Sequence, residues 1–174
     1  MDVLGVEIPD EGPVFVGVLA VHVVAGMTAV VAGAVAAFAP KRRGRHPRAG
    51  RIFLVALASL TASAAVLAAM RWREDRHLFA IAVVATGLGA AGWWVRRRRP
   101  QWRLLWHGAG MAGAYVALLT GFYVDNGPQL PLWNRLPHVA FWVLPTLVGV
   151  PLTWRALRRN HALRPRGPAV TPPR

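Results

Sequence analysis

The sequence predicts an all-α fold, an integral membrane helical bundle of five transmembrane helices with its N-terminus outside and its C-terminus cytoplasmic. Three observations carry this expectation. Of the 174 residues 55% are hydrophobic and 16% charged, and the apolar residues come in long runs rather than in short amphipathic repeats. At about 1.5 Å per residue, these runs are long enough to cross roughly 30 Å of hydrocarbon. Basic residues cluster at the ends of alternate runs and tryptophans gather near both ends, as the two membrane interfaces require.

Taken in order, Met1 to Pro13 carries Asp2, Glu7, Asp10 and Glu11 and no basic residue. It lacks the positive start of a secretory signal and reads as a short acidic tail that stays attached outside the membrane. Val14 to Ala39 is the first span, longer than a bilayer needs and so free to tilt. Pro40 and the basic run from Lys41 to Arg51 close it. Ile52 to Met70 is the second span, and Arg71 to His77 the turn after it. Leu78 to Val95 is the third, ended by the arginines at 96–99. Trp102 to Asn126 is the fourth, with no charged residue between Arg103 and Asp125, and a Pro- and Gly-containing loop follows it. Leu136 to Trp154 is the fifth: Pro137 stands where a first-turn proline is tolerated, and Pro145 and Pro151 are expected to kink the helix. The chain then turns Arg- and Pro-rich, with order expected to fade by Pro165. This divides it into a tail (1–13), a membrane domain (14–157) and a basic tail (158–174).

Charge sets the expected orientation. Lys41, Arg42, Arg43, Arg45, Arg48 and Arg51, the arginines at 96–99 with Arg103, and those from Arg155 onward all fall on one side, which is therefore cytoplasmic. The other side holds Arg71, Arg73, Arg76 and Arg135 and all seven acidic residues. The formal charge of +14 would point to nucleic acid in a soluble protein. Here it marks a membrane face that attracts anionic headgroups, and no nucleic-acid partner is expected. There is no cysteine, hence no disulfide, thiolate metal site or thiol nucleophile. No acid lies within a span and Lys41 is the only lysine, which argues against a carboxylate proton relay and against a retinal Schiff base. Nucleotide-binding and hydrolase motifs are absent.

Histidine is the chemistry that remains. On the fourth span His107, Gly110, Ala114, Ala117 and Gly121 recur at helical spacing, an imidazole followed by a stripe of small residues. On the first span His22, Gly26, Ala29, Gly33 and Ala36 repeat that design. Such stripes either let a second helix approach closely or make room for a porphyrin whose iron the histidine ligates. Placing Ala39 and Arg103 at one level separates His22 from His107 by roughly 20 Å along the membrane normal, so the two are not expected to hold one haem. Any two-histidine site is built level by level, His22 with His138 at the outer level and His107 with His46 or Met111 at the inner one. His77 is a weaker outer candidate. Tyr115 is placed to hydrogen-bond a quinone or a cofactor edge. His46, in a basic loop, is more readily expected to face solvent or headgroups, and Met111 and Tyr115 to be packing residues. A divalent-metal site from Asp75, His77, Asp125 and His138 is a remote alternative, since the four are scattered over two loops. His161, in the tail, is assigned no role.

These residues also carry a resemblance. His22 with Gly26, the loop His46-Pro47-Arg48-Ala49-Gly50-Arg51, His107 with Met111 and Tyr115, Thr120 to Asn126, Leu136-Pro137 and the stretch from Trp142 to Gly149 together resemble a family of small bacterial inner-membrane proteins classified as a domain of unknown function. The resemblance spans roughly Val14 to Trp154. It implies a multi-pass protein of the bacterial inner membrane and no particular activity. Gly108 stands where the family's fourth span carries the second residue of a His-Arg pair, which argues against an acidic group or a propionate being bound there.

Two functions of different classes follow as expectations. One is b-type haem (haem b) or quinone-linked electron transfer through the intramembrane histidines. The other is a non-catalytic structural or accessory membrane subunit, whose seams bind helices of its own bundle, of a membrane partner or of a second copy. A small-solute transporter ranks third, with Pro145 and Pro151 marking a broken helix.

Overall fold

The computed structural model describes residues 2–3, 6–7, 12–40, 44–98, 103–131 and 133–159. A two-residue antiparallel ladder, β1 (Asp2–Val3) with β2 (Val6–Glu7), precedes five helices. These are α1 (Pro13–Phe38), α2 (Arg45–Met70), α3 (Trp72–Arg98), α4 (Arg103–Asn126) and α5 (His138–Arg159). Two 3-10 turns, Gly127–Gln129 and Trp133–Arg135, link α4 to α5.

The helices match the five expected spans, with three changes at their ends. α2 begins at Arg45 rather than Ile52, so part of the basic run is helical. Pro47 falls in its first turn, where the missing N–H has no intrahelical partner to lose. Gly44 before it has φ 116°, a conformation that suits glycine. The expected turn from Arg71 to His77 shrinks to Arg71 alone. Its N–H still closes α2 on the Leu67 carbonyl at 2.9 Å, while its own carbonyl accepts from the N–H groups of Glu74 and Asp75 to open α3. Acidic residues in that first turn complement the positive end of the helix. α5 runs without interruption through Pro145 and Pro151, so the broken helix that a transporter reading would use is not present.

Consecutive helices pack as neighbours: α1 on α2, α2 on α3, α3 on α4 and α4 on α5, with a slighter contact of α1 on α4 closing the bundle. The core is built largely of small residues. Ala25, Ala29, Ala32, Gly33 and Ala36 of α1 are buried, while Val21, Val24, Met27 and Val31 of the same helix are exposed. A soluble bundle would turn the larger side chains inward. The inverted pattern belongs to helices that meet lipid on the outside and one another through small residues.

Four helices, α1, α2, α3 and α5, are long and apolar enough to cross a membrane, the signature of a multi-pass membrane protein. α4, expected as the fourth span, is not among them. Trp106, His107, Tyr115 and four glycines dilute its apolar content. Its position compensates. α4 presents the stripe of Gly110 and Ala114 to α3, and the roughly opposite stripe of Gly108 and Val116 to α5. From Leu105 to Asn126 only Trp106, Phe122 and Asp125 are exposed.

Between α2 and α3 a polar knot ties apolar surfaces. Thr61 Oγ1 lies 2.6 Å from Thr86 Oγ1 and within 3.0 Å of the Leu57 carbonyl and 3.1 Å of the Ala82 carbonyl. Thr86 donates to Thr61, and Thr61 passes its proton to a carbonyl, so both hydroxyls are satisfied. Thr61→Val keeps the shape and deletes the knot. It is expected to cost about 1 kcal/mol, read as a lower unfolding midpoint in detergent.

Candidate functional site

His22, His46 and His107 each engage a neighbouring helix through Nδ1. The Ser63 hydroxyl donates to the Leu60 carbonyl at 2.9 Å, which uses its only proton. His22 Nδ1, 3.0 Å from Ser63 Oγ, is therefore the donor in that pair. His107 Nδ1 donates to the Gly92 carbonyl on α3 at 3.1 Å, and His46 Nδ1 donates to the Ala36 carbonyl on α1 at 2.8 Å. His46 is half-buried and held to α1 by this bond. Its place in the first turn of α2 sets it against the last turns of α1.

The small-residue stripes lead into the same seams. Along α1, a Cβ on Gly26 would stand 3.1 Å from Leu60 of α2, and one on Gly33 would fall into the Tyr115 ring of α4 and lie 3.2 Å from Phe53. Along α4, a Cβ on Gly110 would meet the Leu88 carbonyl at 2.8 Å and Gly92 Cα at 2.9 Å. The α3 and α4 backbones are in direct contact there. Ala114 faces Gly89, and Gly121 faces Ile81, so the stripe lies along α3 for most of its length.

Tyr115 bridges the bundle. Its hydroxyl donates to the Val30 carbonyl at 3.2 Å, its ring covers Gly33, and its centroid is 6.1 Å from that of Phe53. This contact also fixes the relative depth of the histidines. His22 lies eleven residues from Gly33 toward the acidic end, and His107 eight residues from Tyr115 toward the arginine-rich end. They stand about 28 Å apart along the helix axes, further than expected, and do not form a pair.

Nor does the structure bring the level-matched partners together. His138 is exposed at the start of α5 with its ring edge-on to Phe141 of the same helix, whereas His22 is turned into the α1–α2 seam. His46 and His107 share the arginine-rich end but belong to different seams. Met111 packs against the buried core. His77 sits against Trp142, and among the described residues no group of three or more His, Asp or Glu is placed to hold a metal ion, so Asp75, His77, Asp125 and His138 form no such site. His161 and Trp102 lie outside the described residues.

Sequence reading missed three contributors to these seams. Ser63 and the Thr61–Thr86 pair gave no signal, because a hydroxyl within an apolar run equally well bonds its own helix. Gly92 was legible in principle: Ala85, Gly89 and Gly92 of α3 are buried and repeat the spacing of the stripes on α1 and α4. No family model, curated protein or solved structure matches this chain.

Proposed function

We propose that this chain is a five-span protein of the bacterial cytoplasmic (inner) membrane, N-terminus outside, acting as a non-catalytic structural or accessory membrane subunit. The observation that carries this reading is the filling of both small-residue stripes by protein: Gly110 lies on Gly92 and Leu88, and Gly33 lies under Tyr115. On this reading the faces that carry Gly26, Gly33 and Gly110 serve helix packing rather than a porphyrin. The imidazoles tie those helices together as donors. Arginines at one end and acids at the other support the orientation, and the resemblance to small inner-membrane proteins supports the location. α4 completes the five spans because its flanks are covered by α3 and α5.

A second reading, b-type haem or quinone-linked electron transfer, is favoured by one detail. Donation of Nδ1–H from His22 to Ser63 puts the lone pair of the neutral ring on Nε2. Histidines that ligate metals carry this arrangement, the second ring nitrogen being held by an oxygen.

An ultraviolet–visible spectrum separates the two. The detergent-purified protein, from cells supplied with a haem precursor, is recorded air-oxidised and then dithionite-reduced. The expected result is no Soret band in folded, monodisperse protein, with His22→Ala lowering only the thermal midpoint. A Soret band that sharpens on reduction with resolved α and β bands, and that disappears in His22→Ala, overturns the proposal in favour of the haem reading.

A further inference from the structure

At the arginine-rich end two guanidinium groups are laid on tryptophans. Arg97 Cζ stands 4.3 Å from the ring centroid of Trp93, and Arg158 Cζ 4.5 Å from that of Trp154. In each pair the arginine follows the tryptophan by four residues near the end of its helix, α3 or α5, so the two side chains lie one above the other. The rings face outward: Trp93 is 40% exposed and Trp154 49%.

Stacking has a chemical consequence. A guanidinium held over an indole face is attracted by the ring quadrupole and gives up much of its rotamer freedom before any ligand arrives. Its N–H donors stay at the edge of the plane, in the fork that grips a phosphate through two parallel hydrogen bonds. Tryptophan prefers the headgroup level of a bilayer, which sets both forks at phosphate depth. The acidic residues of the helices, Glu74, Asp75 and Asp125, are all at the opposite end, so none competes for these arginines. Arg96, Arg98 and Arg155, also exposed, add to the local positive potential.

We infer that Arg97 on Trp93 and Arg158 on Trp154 are two binding positions for the phosphate of an anionic phospholipid. This rests on the membrane reading of the chain and is independent of whether the bundle carries a cofactor. The net negative headgroup gains from both the fork and the surrounding arginines, whereas the ammonium of a zwitterionic headgroup meets an unfavourable potential.

The test is a lipid titration of the full-length protein in detergent, read by native mass spectrometry. Phosphatidylglycerol and phosphatidylcholine of matched acyl chains are compared. Phosphatidylglycerol is expected to bind more tightly, and Arg97→Gln and Arg158→Gln each to weaken it about fivefold. Trp93→Leu and Trp154→Leu, which keep the arginines and remove the platforms, are expected to weaken it as well. Arg73→Gln, at the acidic end, is expected to leave binding unchanged. Excess inorganic phosphate is expected not to displace the lipid. Equal affinity for both lipids, unchanged binding in the arginine or tryptophan variants, an equal loss in Arg73→Gln, or displacement by phosphate overturns the assignment. A wild-type chain that fractionates without membranes or detergent defeats the membrane reading itself, and is seen before any titration begins.

Discussion

Gly110→Leu is expected to prevent accumulation of folded protein, and the reason is that the atoms it would meet belong to a backbone. A Cβ at this position would come within 2.8 Å of the Leu88 carbonyl, 2.9 Å of Gly92 Cα and 3.0 Å of the Gly92 nitrogen. No rotamer change relieves such a contact. α3 and α4 must separate, which also pulls His107 Nδ1 from the Gly92 carbonyl. Overpacking relieved by side-chain shifts costs about 1–3 kcal/mol; a backbone clash that opens a whole seam belongs above that range. The measurement is the yield of monodisperse protein in detergent and its unfolding midpoint, with Gly87→Leu as control. Gly87 lies on the same helix as Gly92 and has nothing within 4 Å of an added Cβ, so its substitution is expected to be neutral or slightly stabilising. Equal behaviour of the two variants would sink the direct α3–α4 contact.

The second large effect falls on the closure of the bundle. In Gly33→Leu the new Cβ would lie 2.5 Å from Tyr115 Cε2 and 3.2 Å from Phe53 Cδ2. Here the obstacle is a side chain, so the protein has an escape: Tyr115 swings out, losing its hydrogen bond to the Val30 carbonyl and its packing on Phe53. A cost of about 2–4 kcal/mol is expected, below that of Gly110→Leu. The distinction is testable by a double-mutant cycle. Tyr115→Ala removes the ring that leucine would displace, so the double variant is expected to be more stable than the sum of the single effects predicts. Strict additivity would show that Gly33 and Tyr115 do not share the space between α1 and α4. Tyr115→Phe keeps the ring and loses only the hydroxyl, and its cost should stay near 1 kcal/mol.

How much of this could be read from the chain depends on what kind of information a feature needs. Helix positions follow from local composition, and all five were visible. The stripes headed by His22 and His107 were visible too, because periodicity along one helix says which residues share a face. What periodicity cannot say is which neighbour occupies that face. The stripe on α4 lies against α3 and the stripe on α1 against α2 and Tyr115 of α4, neighbours that only contacts such as Gly110 on Gly92 and Gly33 on Tyr115 reveal. The same limit hid Ser63, whose partner His22 lies 41 residues away. Helix ends were misjudged where charge was taken as a sign of loop: Arg45 to Arg51 and Trp72 to His77 are helical, since long cationic side chains and first-turn acids are compatible with helix termini. For α4 composition is less telling. It carries no charge between Arg103 and Asp125, while its tryptophan, histidine and glycines leave it outside the helices apolar enough to cross a membrane by composition alone.

That enclosed position of α4 bears on how the protein is made. On the proposed membrane reading, a ribosome delivers helices in chain order, so α1, α2 and α3 reach the bilayer before α4 emerges. Each of the first three is long and apolar enough to cross by length and composition alone. α4 arrives less well equipped, but the groove of Gly89 and Gly92 on α3 is already waiting, and the Gly92 carbonyl there accepts the His107 proton. Arrival of α5, with Leu157 over Gly108 and Gly149 against Val116, then covers the other flank. Biogenesis of the second half of the protein is therefore conditional on the first, and a chain released before α5 is complete leaves its least lipid-compatible helix uncovered, a state for quality-control proteolysis to recognise.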